Sequence, residues 1–145
     1  SFSGDAVVII TLIPKEGLSE FWPIASPLIQ KALDAAPGYY RIVDVLDNII
    51  NEMESLWAVI DDDGEVVACF TTMINQYPLC RRLMIHHVGG ADLDQWEDDF
   101  YDILKRYAVD VGCNGIDARG RNGWKRKAKD RNWKAVMMYS FDLEK

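Results

Sequence analysis

Long apolar runs, paired cysteines and histidines are all scarce in this sequence. The longest uninterrupted apolar run covers only residues 6–10, whereas a membrane-spanning helix needs about 20 apolar residues. No basic stretch precedes this run, so we do not expect it to be a signal peptide. Cys69, Cys80 and Cys113 are odd in number and form no C-x-x-C pair. Their pattern argues against a disulfide framework and a zinc site, and it indicates a reducing cytoplasm.

Apolar and acidic side chains, by contrast, are abundant. Of the 145 residues, 49% are apolar, which is enough for one hydrophobic core, so we expect a single domain over residues 1–145. Three consecutive acids, Asp61, Asp62 and Asp63, precede Gly64. They lack the D-x-D-x-D-G pattern and the distal glutamate of a calcium loop, so no metal site is predicted there or elsewhere.

The net charge of −7 is unevenly distributed along the chain. Residues 1–118 carry 20 acidic and 7 basic side chains, a balance of −13. Against Asp130 alone, residues 119–134 carry eight basic side chains: Arg119, Arg121, Lys125, Arg126, Lys127, Lys129, Arg131 and Lys134. This basic segment is either a solvated helix face or a site for a phosphorylated cofactor, an acidic protein partner or nucleic acid. Nucleic acid is disfavoured, because it requires a broader basic surface than one helix on an acidic body.

The first half of the chain alternates between strand and helix patterns. Residues 6–14 are apolar and β-branched and end at Pro14, which predicts a strand. Ser26-Pro27 fits an N-cap followed by proline at the first helical position, so we expect a helix over residues 26–36. The alternative is a helix from near Leu18, in which Pro27 would cost a backbone hydrogen bond. An amphipathic stripe over residues 42–53 predicts a second helix.

The second half predicts a hairpin followed by a strand-turn-helix unit. Two strand-like runs over residues 56–75 are separated by Asp63-Gly64, a turn pair typical of hairpins. A strand over residues 82–88, a glycine turn over 89–91 and a helix over 93–111 follow, with Asp92 as N-cap and Gly112 as the C′ glycine. The remaining patterns predict a strand at 115–118, a loop at 120–123, a basic helix from about Trp124 and a last strand at 135–143.

Two loops are candidate anion sites. The first is the glycine turn formed by Val88, Gly89, Gly90 and Ala91, which leads into a helix N-terminus, where free N–H groups and the helix dipole favour negative charge. The second contains Arg121 and Asn122 between two glycines, which permit close approach of a ligand to the backbone. The alternative for this second loop is structural, with the neighbouring tryptophan covering the edge of the sheet.

Candidates for proton transfer lie on two predicted strands. His86 and His87 are the only histidines, and as neighbours on a strand they should point to opposite faces. Each is either a base near neutral pH or a hydrogen-bonded structural residue. Asp117 on the next strand is placed to orient or deprotonate an amine, or else to form an ion pair with Arg119 or Arg121.

The predicted order β-α-α-β-β-β-α-β-α-β defines a mixed α/β protein and resembles the GNAT-type N-acyltransferase fold over nearly the whole chain. The stretch IDARGRNGWKRKAKDRNWK, after the hairpin WAVIDDDGEVVA, is similar to GNAT-like proteins encoded by tailed phages. The resemblance implies an N-acyltransferase that uses acetyl-CoA or another acyl-CoA. The cofactor would lie against the glycine turn, and its acceptor would be an amine.

The sequence also departs from the pattern of this family. The family turn [RQ]-x-x-G-x-[GA] lacks its leading Arg or Gln here, and the family's tyrosine acid aligns with Ala128. Acids that would repel phosphates open the following helix: Asp92, Asp94, Glu97, Asp98 and Asp99. These departures favour an alternative, a non-catalytic GNAT-fold protein that binds a protein partner through the basic segment in a phage virion or its assembly. Either function places the chain in the host cytoplasm or in the virion.

Overall fold

One sheet with an apolar layer on each face organises this chain. The computed structural model describes residues 8–91, 93–119 and 131–143. Its strands are β1 (Ile9–Leu12), β2 (Ser55–Ile60), β3 (Val66–Gln76), β4 (Arg81–Gly90) and β5 (Gly115–Ala118). Its α-helices are α1 (Leu18–Asp34), preceded by a 3-10 turn at Lys15–Gly17, α2 (Ile42–Ile50) and α3 (Leu93–Asp110). None of the helices in these ranges has the length and apolar character needed to cross a membrane.

The strands follow one another across the sheet in the order β1-β2-β3-β4-β5. The first three pairings are antiparallel, and β4 pairs with β5 in parallel. A mixed α/β sheet was expected from the sequence, as was a parallel pair joined through α3, and both are confirmed. Two parallel neighbours require a crossover, which α3 provides.

The two faces of the sheet carry separate cores because the strands bury both of their sides. In β2, Trp57 and Val59 face α3, where they pack with Phe70, Trp96 and Phe100. The alternate residues of the same strand face α1 and α2 and pack with Ala25, Ile29 and Val45. This explains the near-continuous apolar runs in the sequence, since a strand covered by helices on both faces needs no polar alternation.

Helix α1 begins at Leu18 and not at Ser26, so the predicted start was wrong and the longer alternative is observed. Both Pro23 and Pro27 lie inside the helix. They are on its exposed side, where water can satisfy the carbonyl groups that lose their N–H partners. Burial of an apolar face that extends from Leu18 to Leu33 offsets this cost.

Gly89 and Gly90 are strand residues, so the predicted turn over 89–91 was also wrong. They pair with Cys69 and Ala68 of β3. A Cβ at position 89 would overlap the backbone carbonyl of Leu28, and one at position 90 would overlap Val67 and Ala68. These glycines therefore let α1 and β3 approach β4 closely.

The last described segment, residues 131–143, contains no helix or strand, so the last strand predicted at 135–143 was wrong. Arg131 fixes its start by donating hydrogen bonds to Glu97 and Asp98 of α3, and Trp133 packs near Tyr101. Beyond Trp133 the segment makes no strand pairing. The Asp92 N-cap and the basic helix predicted from Trp124 lie outside the described residues.

The close contact between α1 and β4 leads to a prediction about stability. We expect Gly89→Ala to lower the free energy of unfolding by about 1–3 kcal/mol, because the added methyl group forces α1 away from β4. Gly17→Ala is the control, since a Cβ at that position meets only ordinary contacts, and it should stay within about 1 kcal/mol of wild type. Urea denaturation measures both, and equal stability of the two variants would contradict the packing role of Gly89.

Candidate functional site

A β-bulge in β4 brings the two histidines onto the same face of the sheet. Thr71 of β3 pairs with His87 and Thr72 pairs with Ile85, which leaves His86 as the extra residue. The two imidazole rings have centroids 3.9 Å apart and an interplanar angle of 32°. The prediction of opposite faces was therefore wrong, because a bulge interrupts the alternation that a regular strand would impose.

Glu54 holds His86 in place. Its side chain is fully buried just before β2, and its Oε1 lies 2.7 Å from Nδ1 of His86. Its Oε2 accepts a hydrogen bond of 2.9 Å from Nδ2 of Asn48. Burial raises the pKa of the Glu54 carboxyl, but the hydrogen bonds from His86 and Asn48 outweigh it and hold that pKa below its usual value. Glu54 is therefore an ionised carboxylate that orients His86.

His87 is nearly as buried, with 5% of its surface exposed. Its Nε2 has no hydrogen-bond partner among the described residues. The pKa of His87 is lowered to about 4, chiefly because the imidazole is buried and also because of the neighbouring His86. The imidazole is thus neutral at physiological pH. Tyr40 packs edge-on against both histidine rings, with centroid distances of 4.8 and 5.4 Å.

A cleft of about 320 Å³ opens beside these residues, where β4 and β5 separate. Pairing between the two strands ends at Ile85 and Ala118, whereas β4 continues to Gly90. Within the described part of the chain, residues 86–90 therefore have a strand partner on the β3 side only. The end of α1 with its following loop, the start of α3 and the end of β5 close the cleft, whose lining includes His86, His87, Val88, Gly90, Trp96 and Arg119.

The structure brings only some of the predicted cofactor residues to this cleft. Val88 and Gly90 line it, whereas Gly89 packs closely against the backbone of α1 at Leu28. Ala91 donates its N–H to the Val67 carbonyl at 3.0 Å and accepts a hydrogen bond from Trp96 Nε1 at 2.9 Å. Its N–H is thus already used within the fold. Arg121 and Asn122 lie outside the described residues.

Asp117 is not among the residues that line the cleft. It accepts hydrogen bonds from the guanidinium of Arg82, from Nη2 at 2.8 Å and from Nε to both carboxylate oxygens at 3.2 and 3.3 Å. An ion pair was one of the two predicted roles for Asp117, although its partner is Arg82 and not Arg119 or Arg121. The geometry therefore assigns it to the junction of β4 and β5.

Charges around the cleft are more balanced than the sequence suggests. Arg131 pairs with Glu97 and Asp98, two of the acids expected to repel phosphates. The guanidinium also lies 4.6 Å from the centre of the Tyr101 ring. Arg119 lines the cleft, and its positive charge contributes to the lowered pKa of His87. Of the basic segment, Arg131 is thus paired with acids of the same chain, and Arg119 lines the cleft.

Sequence comparison does not identify relatives of this chain: no family model matches it, and neither does any curated protein. Structural comparison does. The chain is similar to an aminoglycoside N-acetyltransferase, AAC(6')-Iy, in complex with CoA, with a TM-score of 0.68 at 10% identity over 99% of both chains. It is also similar to a ribosomal-protein-alanine N-acetyltransferase from Brucella melitensis, with a TM-score of 0.66 at 14% identity over 95% of this chain and 99% of that one.

A third similar structure is glucosamine-6-phosphate N-acetyltransferase from Arabidopsis thaliana. Its TM-score is 0.63 at 13% identity, over 93% of this chain and 98% of that chain. The substrates named for these three proteins differ from one another, and the similarity of this chain to them establishes a shared architecture alone. The chain has the GNAT acetyltransferase fold.

Proposed function

We propose that this protein is an acyl-CoA-dependent N-acyltransferase. The observation that carries the proposal is the cleft between β4 and β5, which contains an imidazole oriented by a buried carboxylate. Bound acyl-CoA would supply the activated acyl group as a thioester. The acceptor of the acyl group is an amine.

The cleft has features that suit such a cofactor. On the side away from β3, residues 86–90 have no strand partner within the described residues. The backbone N–H and carbonyl groups that are directed to that side are therefore available to an extended chain containing amides. The apolar lining includes Val88 and Trp96, and Arg119 adds a positive charge for phosphate. The internal pairing of Arg131 with the acids of α3 removes part of the repulsion expected from the sequence.

Glu54 and His86 provide a route for the proton that an amine must lose during acyl transfer. With Nδ1 of His86 donating to Glu54, the remaining nitrogen, Nε2, carries the lone pair that accepts this proton. The buried carboxylate stabilises the imidazolium that results. Cys69 is unsuited to serve as a nucleophile here, since burial raises the pKa of its thiol to about 12.

The role of His86 predicts a kinetic effect. We expect His86→Gln to lower kcat for acetyl transfer by roughly 100-fold, the lower end of what general base catalysis contributes. KM for acetyl-CoA should change by less than about threefold, because the cofactor's binding groups remain. Thiol release from acetyl-CoA, measured across a panel of amines, gives both parameters. Asp117→Asn is the comparison: if it lost as much activity as His86→Gln, the catalytic centre would lie elsewhere.

The position of Arg119 predicts a binding effect. Arg119→Gln should weaken acetyl-CoA binding by about fivefold, corresponding to ~1 kcal/mol for a partly screened charge near phosphate. It should also reduce the dependence of affinity on salt. Lys105→Gln, an equal change of charge on the exposed part of α3, should leave the affinity unchanged. Calorimetry at two salt concentrations measures these values, and identical behaviour of both variants would remove Arg119 from the site.

A second candidate function is association with another protein, and the exposed C-terminal segment favours it. Six large apolar side chains in residues 136–143 are 67–88% exposed: Val136, Met137, Met138, Tyr139, Phe141 and Leu143. Contiguous exposed apolar surface of this kind marks interaction sites. Under this proposal, this segment and the neighbouring basic residues contact a partner, and the resemblance to proteins of tailed phages suggests a virion or assembly component.

This second candidate predicts a change in association without a change in fold. Tyr139→Asp combined with Phe141→Asp should reduce assembly with another protein or with a second copy, because the charges oppose burial of the segment. The free energy of unfolding should change by less than about 0.5 kcal/mol, as both side chains are already exposed. Light scattering coupled to size-exclusion chromatography measures the assembly. Equal masses for wild type and variant at all concentrations would contradict a contact role.

A further inference from the structure

Three side chains with metal-binding groups converge where the bulge of β4 meets the end of α2. One ligand atom each from Glu54, His86 and His87 lies within 4.8 Å of the others. We propose that these residues bind one divalent transition-metal ion of the zinc class. Binding itself is independent of the proposed enzymatic function. Its consequence, reversible inhibition, rests on that function.

The donor set determines the class of ion. Two imidazoles and one carboxylate suit Zn²⁺, Co²⁺ or Fe²⁺, whereas Mg²⁺ and Ca²⁺ prefer oxygen ligands alone. The separation of 2.7 Å between His86 Nδ1 and Glu54 Oε1 is close to the distance of roughly 3 Å between two ligands on one zinc ion. In the absence of an ion, a hydrogen bond joins these two atoms, and coordination would replace it with one bond from each atom to the metal.

His87 provides an independent observation that points to a ligand. Only 5% of this residue is exposed, and its Nε2 has no hydrogen-bond partner in the described ranges. Buried polar atoms without partners are rare in proteins, because such an atom loses its hydrogen bonds to water and gains none within the protein. A metal ion would supply the missing partner, and a neutral imidazole carries the lone pair that coordination requires.

Neighbouring residues hold the three ligands in place. Asn48 binds the second oxygen of Glu54, Tyr40 packs against both imidazoles, and Thr71 Oγ1 accepts the backbone N–H of His87 at 3.2 Å. Such outer contacts orient metal ligands and raise affinity. Both histidines also line the cleft, which gives an ion access from solvent and leaves room for water as the fourth ligand.

A second group of potential metal ligands among the described residues, Asp61, Asp62 and Asp63, serves as a control. Asp61 Oδ1 accepts the backbone N–H groups of Asp63 and Glu65 and so closes the hairpin turn. The carboxylates of Asp62 and Asp63 are exposed. Neutralising Asp62 and Asp63 removes two surface carboxylates that could bind cations nonspecifically, and it leaves the two histidines unchanged.

Metal binding would switch off acyl transfer by the proposed mechanism. When Nδ1 of His86 coordinates the ion, the neutral imidazole carries its proton on Nε2, which then has no lone pair to accept the proton of the amine. Glu54, as a ligand of the ion, no longer accepts a hydrogen bond from Nδ1. Zinc should therefore inhibit the enzyme, and a chelator should restore its activity. The site would make the activity depend on the level of available transition metal.

Titration of metal-stripped wild-type protein with Co²⁺ tests the binding site directly. We expect one ion per chain, visible as d–d absorption bands and displaced by Zn²⁺, without the near-ultraviolet band of thiolate ligation. His87→Gln and Glu54→Gln should each weaken binding about tenfold or more. Asp62→Asn combined with Asp63→Asn should bind as wild type does. Failure of the wild type to bind, or wild-type affinity in His87→Gln, would overturn the proposal.

Thermal unfolding supplies a second measurement in case Glu54→Gln does not fold. Zinc should raise the Tm of the wild type, because an ion that binds only the native state stabilises it. At the same zinc concentration, it should raise the Tm of His87→Gln clearly less. An equal rise in both proteins would place the ion elsewhere and overturn the site. If the wild type binds Co²⁺ but transfers no acyl group, the proposed function fails while the metal site stands.

Discussion

The register between β3 and β4 is the constraint on which the site depends. One extra residue at His86 reverses the side-chain alternation of β4 after Ile85, so that neighbouring histidines share a face. The same bulge falls where β5 stops pairing with β4. A bulge increases local twist and bends a strand, which is consistent with the opening of a cleft at this point. Without it, His87 would face α3 and not Tyr40.

Most of the architecture could be predicted from local patterns. The hairpin, α3, β5 and the mixed character of the sheet all follow from periodicity, turn residues and strand-forming composition. The hairpin strands, α3 and β5 are each observed within about two residues of their predicted bounds. Their patterns suffice because each element buries a face whose period is visible in the chain. The start of α1 could not be predicted so well, since the packing that outweighs two prolines is a tertiary effect.

The candidate site was less predictable than the fold. His86, His87, Val88 and Gly90 were identified in advance, but the bulge depends on pairing with a distant strand and leaves no pattern in β4 itself. Glu54 was missed for a similar reason. In the sequence it is one of several acids at the end of an amphipathic helix, and only the fold shows that it is buried beside His86. The predicted strand at 135–143 has a suitable composition, yet strand formation also requires a neighbouring edge.

The open side of β4 has a consequence for how this fold can diverge. A ligand that pairs with the main chain of residues 86–90 contacts groups that every amino acid except proline possesses. Selection for such binding acts on the path of the strand and hardly on its side chains. Structures that share 10–14% of their residues with this chain can then retain the same architecture. Over long evolutionary times, the backbone conformation of the strand would therefore be conserved more strongly than any sequence motif within it.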